Sequence, residues 1–221
     1  MSGLSFSRGH MYDWVTHMWS PLVGCPHQCS YCYVRSNRRQ QPATVTVKEG
    51  WPPLGRDRTI FVGHLCDVFA EAVPESAIRD VLAWCREFPN SYVFQSKNPE
   101  RFRYFLDLMP ERSTLGTTIE TNRQDVLDRL SKAPPVFWRA AGLARVRSPK
   151  FLTVEPIMDF DTGPLVDLIA AAAPGFVNIG ADSKRHGLPE PSRSKVMHLV
   201  DLLQEKGIAV RKKANLERLM R

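Results

Sequence analysis

The stretch "GCPHQCSYCYVR", Gly24 to Arg35, places three of the chain's five cysteines, Cys25, Cys29 and Cys32, within eight residues. Thiolates suit zinc, copper(I) or iron–sulfur clusters. A zinc site wants a fourth ligand, which His27 would supply. Zinc motifs usually present two paired knuckles, however, and the chain has no CxxC outside this run. A cubane cluster held by three cysteines leaves one iron open to a small molecule. On that reading, the missing fourth ligand marks the seat of a substrate or cofactor.

Outward from the cysteines, short apolar runs rich in β-branched and aromatic residues alternate with amphipathic stretches. "WVTHMWSPLVG" (14–24) is the first strand region. "TIFVG" (59–63), "SYVFQS" (91–96), "STLGTTI" (113–119), "KFLTVEP" (150–156) and "GFVNIG" (175–180) read as further strands. Helical patterns follow them at 74–88, 98–109, 121–132, 162–173 and 191–207, and "IAVRKK" (208–213) is a candidate seventh strand. For 98–109 the expectation is an α-helix with Asn98 as N-cap and Pro99 at its first position. About six β/α units imply a parallel sheet with right-handed crossovers, in one domain with a core near 12–210. A doubly wound sheet and an incomplete barrel fit this order equally. In both, the ligand sits at the carboxyl ends of the strands.

Those ends carry polar residues. Cys66 and Asp67 follow the second strand, Ser96 and Lys97 the third, Thr118 and Glu120 the fourth, and Glu155 the fifth. Asn178 and Asp182 belong to the sixth. Any one of them is explained as a cap of the next helix. The recurrence at every strand end points to a shared site, because such groups are costly to bury without partners. Cys85 lies on the apolar side of its helix and reads as a small core residue.

The pattern C-x3-C-x2-C with Tyr31 before the last cysteine resembles the signature of the radical S-adenosylmethionine (radical SAM) superfamily. "MWSPLVGCPHQCSYCY", "IFVGHLCDVFAEAVPESAI", "FQSKNPERF", "LGTTIETN" and "LTVEPIMDF" extend the likeness from about Trp14 to Asp182. Together they resemble a little-characterised family of phages and bacteria, distantly similar to spore photoproduct lyase. The resemblance implies a partial (β/α)6 TIM-type barrel, open on one side, with a [4Fe–4S] cluster on Cys25, Cys29 and Cys32. The open iron would chelate S-adenosyl-L-methionine, whose reductive cleavage yields a 5′-deoxyadenosyl radical. By position, Tyr31 would lie near the adenine, and Ser96 and Lys97 would meet the methionine carboxylate. Thr118 or Glu120 would hold the ribose, and Glu155 and Asn178 would face cofactor or substrate. Family members often carry a Gly-Gly-Glu-like stretch for the methionine amino group. "GHLCD" replaces it here, which leaves Asp67 as the candidate. Spore photoproduct lyase uses a thiol to return a hydrogen atom to its product radical. Cys66, at a strand end close to where the radical would form, is the candidate for that role here, with an inert buried thiol as the simpler explanation. A one-electron reductant such as flavodoxin or ferredoxin would be the partner.

The balance of +7 in 221 residues permits a polyanionic partner. Basic residues cluster at 35–39, 144–150, 182–186 and 211–213, and solvated surface accounts for any single cluster. With the open barrel, they favour an enzyme that modifies or repairs a nucleic acid or nucleotide. A peptide or small metabolite as substrate is the alternative within enzymes. A non-enzymatic iron–sulfur or zinc module that binds nucleic acid is the alternative outside them. No apolar run approaches the roughly 18 residues of a membrane span, and the first residues lack the apolar core of a signal peptide. Together with an odd count of five cysteines, three of them clustered, this favours a reducing, cytoplasmic setting.

Overall fold

The computed structural model describes residues 3–7, 11–36 and 41–221. Its main sheet has eight strands. In chain order they are β1 (Ser5–Phe6), β2 (His17–Trp19), β5 (Thr59–Val62), β6 (Ser91–Gln95), β7 (Ser113–Thr118), β8 (Lys150–Val154), β9 (Phe176–Ile179) and β10 (Ala209–Lys212), and they lie side by side in that order. From β2 to β10 every pairing is parallel, and β1 adds an antiparallel edge. The expected first strand region divides in two. His17–Trp19 joins the barrel, whereas β3 (Leu22–Val23) turns away to pair with β4 (Thr46–Val47) in a separate antiparallel ribbon. The candidate seventh strand at 208–213 forms as β10.

Alternation along each strand makes two cores. Ile60, Val62, Tyr92, Phe94 and Leu115 point outward beneath α2 (Glu75–Arg86) and a 3-10 helix at Pro99–Leu108. Leu152, Val154, Val177 and Ile179 do the same beneath α4 (Val136–Ala144), α5 (Thr162–Ala172) and α6 (Arg193–Glu205). Cys85 is fully buried in the first of these layers. The inward positions Phe61, Val93 and Phe151 close on Tyr12 and Val15, so the segment before β2 fills the barrel floor. Gly116 makes room for this floor, since a β-carbon there would run into the Phe151 ring.

Two helices differ from the reading of the sequence. The expected α-helix at 98–109 is a 3-10 helix, and Asn98 makes no side-chain cap. Its apolar residues Pro99, Phe102, Phe105 and Leu108 recur every third position, and at three residues per turn they align on one side. The expected helix at 121–132 shortens to α3 (Gln124–Asp128), and α4 forms just after Pro134 and Pro135, in a stretch where the sequence reading placed no element. Pro135 is its N-cap, and Val136, Ala140 and Leu143 form its buried stripe.

Candidate functional site

The cysteines lie on the loop leaving the carboxyl end of β2. Gly24, at φ +85°, opens it in a conformation that favours glycine, pressed against the Thr44 carbonyl. Backbone bonds clamp the loop on both sides. Cys25 N donates to Pro42 O (2.7 Å), Ser30 N to Leu130 O (2.8 Å) and Lys132 N to His27 O (2.7 Å). All three thiols are free, and Cys29 Sγ lies 3.1 Å from Ser131 Oγ. Burial, with Asp67 and Cys29 adding to it, pushes the Cys25 thiol up to about 12. A thiol raised in this way ionises when a metal cation takes the place of its proton.

Two buried carboxylates hold the loop. Asp67, past the end of β5, takes four donors. His27 Nε2 lies 2.7 Å from its Oδ2, which also accepts from Lys97 N (2.7 Å) and Ser96 Oγ (3.0 Å), and Phe69 N donates to Oδ1 (3.0 Å). Burial pushes this carboxyl upward, but the donors, His27 foremost, outweigh it and hold it below the ordinary range. Glu120, past the end of β7, is fully buried. Tyr31 Oη donates to its Oε1 (2.8 Å), Lys97 Nζ bonds the same oxygen, and Arg139 Nη1 donates to Oε2 (2.9 Å). Burial again opposes ionisation, and Lys97 and Arg139 overcome it, bringing the carboxyl down to about 2. Lys97 Nζ also lies 3.3 Å from Tyr31 Oη and 5.2 Å from the centre of that ring.

The other candidates line the barrel beneath. Thr118 Oγ1 accepts from Gln95 Nε2 (2.6 Å), and Gln95 Oε1 accepts from Tyr12 Oη (2.6 Å). Tyr12 Oη also lies 2.8 Å from Thr153 Oγ1, which Asn178 Nδ2 approaches at 3.4 Å. Glu155 stands apart from the loop, paired with Lys213 Nζ (2.5 Å) and Asn215 Nδ2 (2.7 Å). Cys66 is buried among Val62, Val68 and Phe69. Burial first, then neighbouring Cys25 and Asp67, push its thiol far up, so it stays protonated. Asp182 caps its own loop, accepting from Lys184 N and meeting His186 Nδ1 at 2.7 Å. His27, the candidate fourth zinc ligand, turns its Nε2 to Asp67 and keeps Nδ1 out of that bond. Among the described residues no three His, Cys, Asp or Glu side chains converge on a point where one metal ion would sit.

Several solved structures share this architecture. A variant of spore photoproduct lyase superposes with a TM-score of 0.63 at 10% identity, over 95% of this chain and 80% of that one. A variant of the same enzyme "with bound AdoMet and dinucleoside spore photoproduct" gives 0.57 at 13%, over 91% and 66%. Streptococcus suis SuiB bound to its precursor peptide SuiA gives 0.61 at 12%, over 89% and 48%. The chain thus spans about two thirds or more of the lyase and about half of SuiB. It has the partial barrel of radical SAM enzymes. No curated protein matches its sequence. The model of a family described as "Protein of unknown function (DUF5131)" matches residues 10–183. The chain belongs to that family.

In this DUF5131 chain, reading the sequence missed Arg139, Tyr12, Gln95, Lys213 and Asn215. Arg139 had a signal. It falls on the buried stripe of α4, between Val136 and Leu143, where an unpaired guanidinium would be prohibitive. The basic clusters divide. Residues 182–186 and 211–213 lie at the mouth and at the β10 edge, with Lys184, Arg185, Arg211 and Lys212 exposed. The run at 144–150 leads into the opposite, amino end of β8. Of the run at 35–39, positions 37–39 lie outside the described residues.

Proposed function

We propose that this chain is a radical SAM enzyme that holds a [4Fe–4S] cluster on Cys25, Cys29 and Cys32 and modifies or repairs a nucleic acid or nucleotide. The observation that carries the reading is the loop of three free thiols at the carboxyl end of the first parallel strand, in a barrel shared with enzymes of that class. When bound, cluster and S-adenosylmethionine together supply one-electron cleavage of the sulfonium to a 5′-deoxyadenosyl radical, the chemistry that lies with the cofactor. The protein's share is positioning. Asp67 fixes the first half of the loop through His27, and Glu120 fixes the second through Tyr31. Lys97, one-sixth exposed beside Tyr31, offers the positive charge a methionine carboxylate needs. Ser96, Thr118 and Asn178 furnish polar atoms at the carboxyl ends of β6, β7 and β9, Glu155 follows β8, and Cys66 keeps the proton a hydrogen donor must carry.

The nucleic-acid assignment draws support from the exposed cations at the mouth and from the dinucleoside bound by the lyase relative. The test is anaerobic. Protein reconstituted with iron and sulfide, then given dithionite and S-adenosylmethionine, should release 5′-deoxyadenosine, and Cys29→Ala should release none. Zinc without sulfide in the native protein would overturn the reading. Stimulation by DNA or RNA, weakening with salt, supports the substrate class. Stimulation by peptides alone would replace it.

A further inference from the structure

We infer that Ser131 donates a hydrogen bond to the Cys29 thiolate and so sets how readily a cluster on this loop takes up its electron, a proposal that rests on the cluster reading above. Ser131 lies just past α3. Its backbone N donates to Leu127 O in the last turn of that helix (2.8 Å), and the bonds from Ser30 N to Leu130 O and from Lys132 N to His27 O flank it on both sides. Residues 130–132 therefore run beside residues 27–30. They leave Ser131 facing Cys29, with Oγ 3.1 Å from Sγ. Among the described residues no other side-chain donor bonds the sulfur of Cys25, Cys29 or Cys32. Cys25 is served differently, by the backbone amides of Asp67 and His27. Ser131 is thus the donor that a substitution can take away.

The other bonds of the hydroxyl fix its direction. A serine that only closes the turn after a helix uses its oxygen as an acceptor, and Ser131 Oγ does accept from Ala133 N (3.1 Å). Its hydrogen is left over. The carbonyl of His27, at 3.5 Å, is beyond the range of a good O–H···O bond. Cys29 Sγ is nearer, and Cys29 is buried, so little water competes for the sulfur. A free thiol can itself donate to a hydroxyl, whereas a thiolate only accepts. Loss of the thiol proton on ligation therefore makes Ser131 the donor. Reduction adds one electron, whose charge spreads onto the sulfurs. A donor aimed at a sulfur stabilises the reduced form more than the oxidised one and raises the potential. Here the backbone holds the donor in place before the electron arrives, as the partners of a metal's ligands do in tuned sites.

The experiment is a redox titration of the reconstituted full chain, with dithionite as reductant and soluble mediators, read by the EPR signal of the reduced cluster. Iron and sulfide are measured on the same samples. Ser131→Ala should keep the wild-type iron and sulfide content and make reduction about three- to ten-fold less favourable, a downward shift of about 28–59 mV for one electron. Ser131→Thr keeps the hydroxyl and should stay within about two-fold of wild type. An unshifted potential in fully loaded Ser131→Ala would overturn the proposal, as would equal shifts in the Ala and Thr variants. Loss of iron from Ser131→Ala would overturn it too, by showing that the serine holds the shape of the loop instead. In each of these cases a loaded wild type leaves the cluster reading standing. A wild type that assembles no iron–sulfur cluster would remove both.

Discussion

Asp67 and Glu120 stand at the ends of different barrel strands, both fasten the cysteine loop, and both are ionised inside the protein, yet they are compensated by different means. Asp67 is satisfied by two backbone amides, a hydroxyl and an imidazole. Glu120 is satisfied by two permanent cations and a phenol, with Arg139 as buried as itself. The difference decides what each site tolerates. Neutralising an acid held mostly by dipoles loses hydrogen-bond strength. Neutralising one held by buried cations strands those cations in a medium that cannot solvate them. Glu120→Gln should therefore be the more damaging change, costing about 3–5 kcal/mol in urea unfolding. Asp67→Asn should cost about 1.5–3 kcal/mol, the range for hydrogen bonds to a charged group. The reverse order would break the comparison. Adding Arg139→Met to Glu120→Gln should recover part of the loss, because the stranded guanidinium goes with its partner.

Acid gives a second way to test the same contrast. The Glu120 carboxyl is held at about 2, below its ordinary 4.5. A group depressed on folding lends stability that is complete above the unfolded value and disappears as pH falls toward the folded one. Wild-type stability should accordingly decline from about pH 4.5 down toward pH 2, by about 3 kcal/mol from this group. Asp67, also lowered, contributes with the same sign. Glu120→Gln should flatten the acid limb of stability against pH more than Asp67→Asn does. An unchanged limb in the Gln variant would mean that the two cations do not hold Glu120 ionised as described.

How far the sequence disclosed this arrangement depends on the kind of signal. Strand–helix alternation is local, and the parallel strands β5 to β9 lie within the runs that apolar residues marked. The cysteine spacing is local too, and it identified the loop. Tyr31, Lys97 and Glu120 were recognisable as polar residues at strand ends, but their mutual contact was not, because the two later residues lie 66 and 89 positions along the chain from Tyr31. Arg139 was hidden for a different reason. Two prolines masked the start of α4, and a charged residue on an apolar stripe is visible only once the helix is drawn. The barrel floor was missed entirely. Tyr12 and Trp14 precede the first parallel strand, and only tertiary packing carries them inside.

That floor supplies the smallest expected effect and extends the contrast to a neutral network. Tyr12 Oη is shared between Gln95 and Thr153, with no full charge in direct contact, although Lys213 Nζ lies 4.9 Å above the ring. Tyr12→Phe keeps the ring and its packing against Phe61 and Phe151. It removes one hydroxyl and leaves the Gln95 carbonyl oxygen without that donor. The cost should be about 1–2 kcal/mol in the same unfolding titration, below both carboxylate variants. Because the hydroxyl sits beneath the loop's anchors and touches neither, iron and sulfide content after reconstitution should match wild type. A loss as large as that of Glu120→Gln, or a fall in iron content, would show that floor and loop form one cooperative unit, and that formal charge is not what separates them.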